Sequence, residues 1–330
     1  MMLQFKDIAK LKTKRVVFQD VFSARDSASL EQLKELSAKR RAIEESINET
    51  SFITDAIARE MSGGLTSRYQ QDLQKLEQYF PLLENLIFHA DSISNRQSIN
   101  KWISDLKISW TSTLGSSSFL QFTGPKYFQI DSLQFELGMS LSLYGAIIRE
   151  RAFELLSEDL VQSATLLRKA AGVYNYLAWE VLPSLKPMLP PEKPAEATTH
   201  VSSALSLICL AEAQSVTIKR AEENGSTGGL LAKLHYGVLQ LLDEASVALQ
   251  SVFRDCKDIS LHFLDFISSY RALNEIRSYK YLAEGERHAG KVGICIGILR
   301  KALANAQKKL PGESSWRLIL QRKLMTSQRC

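Results

Sequence analysis

In a chain of 330 residues, the residues that could do chemistry are its histidines, paired carboxylates, nucleophiles and glycine-rich loops. His89, His200, His235, His262 and His288 are scattered, and none pairs with a second histidine at helical spacing. Glu284 and His288 stand four residues apart and would share a helix face, but a carboxylate-rich metal site needs a second such pair with further acids. The sequence therefore predicts no metal. Asn224-Gly-Ser-Thr-Gly-Gly229 has the glycines of a phosphate cradle, yet it lacks the Lys-Ser/Thr pair of a nucleotide-binding loop and follows a helix, where such loops follow a strand. Its glycines suit a helix C-cap and a hairpin turn. No Gly-x-Ser-x-Gly elbow accompanies the many serines, and the adjacent acids Glu44-Glu45, Glu222-Glu223 and Asp243-Glu244 point to different faces or to solvent. The expectation is no catalysis, no cofactor and no small-molecule substrate.

What remains is surface chemistry. Leu210-Ala-Glu-Ala-Gln214 and Leu230-Leu-Ala-Lys-Leu234 belong to two helices joined by the glycine-rich break. On the first, Ala204, Ile208, Ala211, Ser215 and Ile218 recur at three- and four-residue steps, a face of small residues that another helix can approach closely. The second repeats the pattern with Leu231, Leu234, Val238, Leu241, Ala245 and Leu249. A second stripe, Thr217 with Leu230 and Leu234, falls beside the groove of the hairpin and is the candidate partner surface, with Val216 and Ile218 nearby and Lys233 as a rim charge. Basic groups cluster at Lys6, Lys10, Lys12, Lys14 and Arg15, at Lys39-Arg40-Arg41 and toward the C-terminus. Lys12, Lys14 and Arg15 are the candidates for resting on anionic lipid, each well-placed cation adding about 1 kcal/mol.

The elements that must hold these residues are mostly helical. Apolar residues make up 45% and charged residues 23%, an ordinary globular balance, and a net charge of +5 does not call for nucleic acid. Cys209, Cys256, Cys295 and Cys330 have no close spacing and read as reduced thiols. No secretory signal and no uninterrupted apolar run of membrane-spanning length is found. Residues 1–25 read as an extended arm packed on a helical body. A long helix follows from Ser27–Ser29 to Met61, and another from about Ser67 to Ala90, with Pro81 expected to kink or divide it. Trp102 to Asp131 reads as short β pieces and turns. Leu133–Leu156, apolar nearly all round, should be the central buried helix. The next helix, about Glu158 to Val181, leads into five prolines between Pro183 and Pro194, read as a stiff extended loop. Helices are expected at about 198–223, 229–254, 257–284 and 286–309, with a last one from Ser314. Trp110 and Trp179 are assigned to the core. The pairs suggest a tetratricopeptide-like stack without a clean 34-residue period.

The order Ile108-Ser-Trp110, the apolar helix Leu133–Leu156, Arg168-Lys-Ala-Ala-Gly-Val-Tyr174, Leu205-Ser-Leu-Ile-Cys-Leu-Ala-Glu-Ala-Gln214, Leu230-Leu-Ala-Lys-Leu234 and Tyr281-Leu-Ala-Glu-Gly-Glu-Arg-His288 resembles the BRO1 domain, in its BROX-like and Alix forms. The match runs in register over about residues 100–310. The resemblance implies one elongated, curved, mostly α domain over 1–330, with N-terminal helices and a small β element at 26–130, a tetratricopeptide-like core at 131–310 and a shortened terminal helix at 311–330. It implies a non-enzymatic adaptor, cytoplasmic and peripheral at endosomes, that takes the C-terminal amphipathic helix of an ESCRT-III subunit in multivesicular body sorting. Leu230 and Leu234 match two apolar positions of the family patch. Thr217 stands where the family has a large or aromatic residue, and Ser157 and Val161 stand near the positions of an acid and a lysine, for which Glu158 or Asp159 would supply only the acid. Ser327-Gln-Arg-Cys330 lacks the spacing of a prenylation box. The rival expectation is a membrane-surface or cytosolic scaffold whose ESCRT-III groove has drifted.

Overall fold

A computed structural model describes residues 3–5, 8–49, 67–92, 96–115, 124–252 and 259–309. The helices are α1 (Ser27–Glu49), α2 (Arg68–Ser92), α3 (Arg96–Asp105), α4 (Leu133–Glu154), α5 (Leu160–Tyr176), α6 (Thr199–Glu223), α7 (Gly228–Val252), α8 (Leu261–His288) and α9 (Val292–Lys309). Two short strands, β1 (Ser109–Thr111) and β2 (Tyr127–Gln129), pair antiparallel with Trp110 opposite Phe128. From α4 onward each helix packs on the next, which gives the stacked hairpins of a tetratricopeptide-like body.

Helix α4 is the axis. Seventeen of its residues are buried, from Leu133 to Ala152, and Ser132 caps its N-terminus by accepting a hydrogen bond from the Phe135 amide. The first residues form an arm that lays Leu3, Phe5, Ile8, Leu11, Val16 and Phe18 into the core. The arm joins the strands: the Lys14 amide donates to the Ser109 carbonyl at 3.1 Å and the Thr111 amide to the Lys12 carbonyl at 2.9 Å. One continuous cluster of buried side chains runs from Leu3 to Leu273, with a small satellite around Ala152, Ala164, Leu167, Ala213 and Val216.

Several expectations need correction. Helix α2 continues through Pro81 undivided. Part of the stretch assigned to β pieces is helix α3, whose Trp102 meets Phe22 edge-on at 6.1 Å. The proline stretch is partly helical: Leu182–Leu185 and Lys186–Met188 form turns with Pro183 and Pro187 near their first positions, where a missing amide costs nothing. Trp110 is buried, but Trp179 is 69% exposed, because Leu177, Ala178 and Val181 take the inner side of the chain there. By length and composition α6 qualifies as a membrane span, yet 72% of its most apolar window is buried, so that apolarity serves the core. The continuation of α1 to Met61, the Ser116–Phe122 segment, Cys256 and all residues from 310 lie outside the described residues.

Candidate partner-binding face

The hairpin α6–α7 is built by its turn. Asn224 ends α6 with its amide on the Arg220 carbonyl, and Gly225 follows at φ +68°, a left-handed conformation that glycine adopts without strain. Thr227 then opens α7, its hydroxyl accepting from the Leu230 amide and its carbonyl from the Leu231 amide. Behind the turn Tyr281 of α8 donates its hydroxyl to Glu222 at 2.6 Å. Gly228 lies so close to the Tyr281 carbonyl that a Cβ there would approach it to 2.7 Å.

The face that α6 leaves open is narrow, since most of its residues are buried between α5 and α7. Three hydrogen bonds set the antiparallel register of these helices. Lys219 Nζ reaches the Leu156 carbonyl at 3.1 Å, Ser206 Oγ the Ala171 carbonyl at 2.9 Å, and Gln214 Nε2 the Leu234 carbonyl at 3.1 Å. Val161 of α5, Thr217 of α6 and the Leu230–Leu234 turn of α7 therefore stand in one row across three helices. Val161 is 52% and Leu230 47% exposed, and Leu234 is half-buried against the core. Leu210, also exposed, lies two turns along α6 from Thr217. Gln214 sits over Gly237, where the absent side chain leaves room for its amide.

Of the six residues expected at this surface, Thr217, Leu230, Leu234 and Lys233 reach it. Val216 and Ile218 do not: both are buried, on either flank of Thr217, Val216 in the satellite cluster with Ala164 and Leu167 and Ile218 in the main core. Val161 and Leu210 belong to it and were missed as apolar contributors. Their signal was an apolar residue in the helix sector that also holds Thr165 and Arg168, or Gln214 and Thr217. Asp159 offers no free acid, because its carboxylate caps α5 by accepting from the Val161 and Gln162 amides at 2.8 and 3.0 Å. The cation beside Val161 is Lys219 of α6, half-exposed with its Nζ on the Leu156 carbonyl, and Val161 itself stands among the exposed polar residues Glu158 and Gln162.

His235, one residue beyond Leu234, is buried and stacked on Tyr281 with ring centroids 5.5 Å apart. The Asn274 amide nitrogen donates to the Tyr270 carbonyl, which turns its oxygen toward His235 Nδ1 at 2.9 Å and assigns the proton to Nδ1. Nε2 has no hydrogen-bond partner and lies 3.9 Å from Glu222. Burial holds the imidazole below its ordinary pKa, with Arg277 acting in the same direction and Asn274 and Glu222 opposing it. Among the described residues no cluster of metal-ligating side chains is found.

Of the basic residues at the arm, Lys14 and Arg15 are exposed. Lys12 is half-buried, Lys14 stands over the Tyr127 ring at 4.9 Å, and Arg15 faces Glu44.

A family model described as BRO1-like domain matches residues 29–328. BRO1 domain-containing protein BROX of Xenopus tropicalis is 28% identical over 253 residues, covering 74% of this chain and 57% of that protein. Its Homo sapiens counterpart is 29% identical over 177 residues, covering 53% of this chain and 41% of that protein. The chain spans about half the length of the curated relatives it matches. A solved ALIX BRO1 domain in complex with CHMP4C is similar with a TM-score of 0.62 at 17% identity, over 100% of this chain and 87% of that one. That likeness shows the mostly α fold.

Proposed function

The chain belongs to the BRO1-like domain family, and from that premise we propose that it is a non-enzymatic adaptor whose α5–α6–α7 face takes the C-terminal amphipathic helix of an ESCRT-III subunit, at endosomes, in multivesicular body sorting. The observation that carries this reading is the row Val161, Thr217, Leu230 and Leu234, which offers a helix a shallow apolar strip on a rigid bed. A helix-in-groove complex needs such a strip for anchors spaced at i, i+3, i+4 and i+7. The solved complex of the ALIX BRO1 domain with CHMP4C supports the choice of partner class.

The magnitudes fit a weak complex. Covering the remaining half of each apolar side chain in the row adds roughly 1 kcal/mol at ~25 cal/mol per Å². Four such contacts with a polar rim support a Kd on the order of 10–100 μM, strengthened when a polymer presents many copies. The test is fluorescence anisotropy of the full chain with labelled C-terminal helix peptides from each ESCRT-III subunit. Saturable binding by at least one peptide, abolished by Leu234→Asp in a protein with unchanged far-ultraviolet circular dichroism, is the expected result. Equal affinity in wild type and Leu234→Asp would defeat the proposal.

A further inference from the structure

Tyr176 is 48% and Trp179 69% exposed, at the far end of the same surface. Trp179 lies eighteen positions after Val161, five full turns at 3.6 residues per turn, so both fall in one angular sector about 27 Å apart. A π-turn over Leu177–Val181 shifts that sector by only a fraction of a turn and leaves Leu177, Ala178 and Val181 buried beneath the tryptophan. The register fixed by Ser206 and Lys219 brings this end of α5 beside the first turn of α6, as it brings Val161 beside Thr217. Between the two ends stands Arg168, exposed and with no ion pair among the described residues. Arg168 thus marks the middle of a strip whose ends are apolar.

A tryptophan and a tyrosine side by side on one helix face are the residue types that dominate binding energy once covered, and they carry large contact area at low entropic cost. We propose that Trp179 and Tyr176 are a second anchor for the same partner. The occupant is an amphipathic helix of at least five turns that lies along α5, one end crossing the leucine row and the other at Trp179, with large apolar residues toward both ends and an acidic residue between them that meets Arg168. This rests on the reading that the leucine row takes a helix, and it adds the required length and charge pattern. It also makes Trp179 a determinant of which helix is chosen, since a shorter helix reaches only the leucine row.

The probes are a labelled peptide covering the CHMP4C C-terminal helix and two versions of it, each shortened by two turns at one end. Against the full peptide, Trp179→Ala is expected to lose about tenfold in affinity, the scale of a truncated interface tryptophan. Arg168→Glu is expected to lose affinity as well, and the loss to disappear when the salt concentration is high. One of the two shortened peptides should bind wild type and Trp179→Ala alike, since it no longer reaches the aromatic end. Leu234→Asp should abolish binding of all three. Wild-type affinity of Trp179→Ala for the full peptide, with Leu234→Asp inactive, would overturn the second anchor and leave the leucine reading standing. Binding indifferent to Leu234→Asp would overturn that underlying reading instead. The Trp179 side chain projects into solvent, so an unchanged melting curve should accompany Trp179→Ala.

Discussion

Thr217 occupies the apolar row without exposing an unmet hydroxyl, because its Oγ1 donates to the Ala213 carbonyl at 3.1 Å and only its methyl adds to the surface. Enlarging it tests whether the row is a contact surface. Thr217→Leu should tighten peptide binding about five-fold, for roughly 1 kcal/mol of added apolar contact, when measured by the same anisotropy titration. His235 gives a prediction in pH. Its folded pKa is depressed, so the stability it contributes is complete above the ordinary imidazole value of about 6.5 and is lost as pH falls through the lower folded value. The chemical denaturation midpoint should drop between pH 7.5 and pH 5, and His235→Phe, which keeps the ring on Tyr281, should flatten that drop. At this scale the leucines were legible because their helical spacing marks them out. Trp179 was not, since its neighbours Leu177, Ala178 and Val181 are apolar too, and only the tertiary packing decides which of them faces inward.

Among the elements, the hairpin turn has the least tolerance. Gly225 needs its left-handed backbone, and Gly228 needs its missing side chain, because the Tyr281 carbonyl fills the space. Gly228→Ala must push α7 away from α8 and should cost about 1–3 kcal/mol, the usual scale of overpacking, seen as a lowered melting temperature. Helix α4 was legible from its all-round apolarity, and the hairpin from its glycine break. Helix α3 was not: Ile99, Trp102 and Leu106 give it too short an apolar face, and its packing on Phe22 comes from a segment far away in sequence. The proline stretch misled because proline forbids helix interiors but is welcome in a first turn.

Across the whole molecule, two buried charge networks tie distant segments into one body. Arg40 of α1 donates to Glu136 of α4 at 2.5 Å, and the same carboxylate accepts from Tyr79 at 3.0 Å and from the Trp110 indole at 2.7 Å. Arg149 of α4 forms a two-pronged pair with Glu212 of α6 at 2.7 and 2.5 Å and reaches the Phe5 carbonyl of the arm at 2.8 Å. Removing Glu212 leaves the buried Arg149 guanidinium only the Glu150 carboxylate, at 3.0 Å, and the Phe5 carbonyl, so Glu212→Ala should cost about 3 kcal/mol, the low end for a broken buried pair, and lower the denaturation midpoint of the whole chain. Such pairings are invisible in a single sequence, where Arg40 reads as part of a basic surface run and Glu212 as one more helical acid. The second network ties α6, which carries Thr217 and Leu210, to the central helix α4.

The most direct test of that surface is to let the partner report where it sits. A CHMP4C C-terminal peptide carrying photoactivatable leucine analogues at its apolar positions, cross-linked to the full chain and mapped by mass spectrometry, should label α5, α6 and α7 around Val161, Thr217, Leu230 and Leu234. Cross-links confined to the arm near Lys12–Arg15 or to other helices would contradict the account.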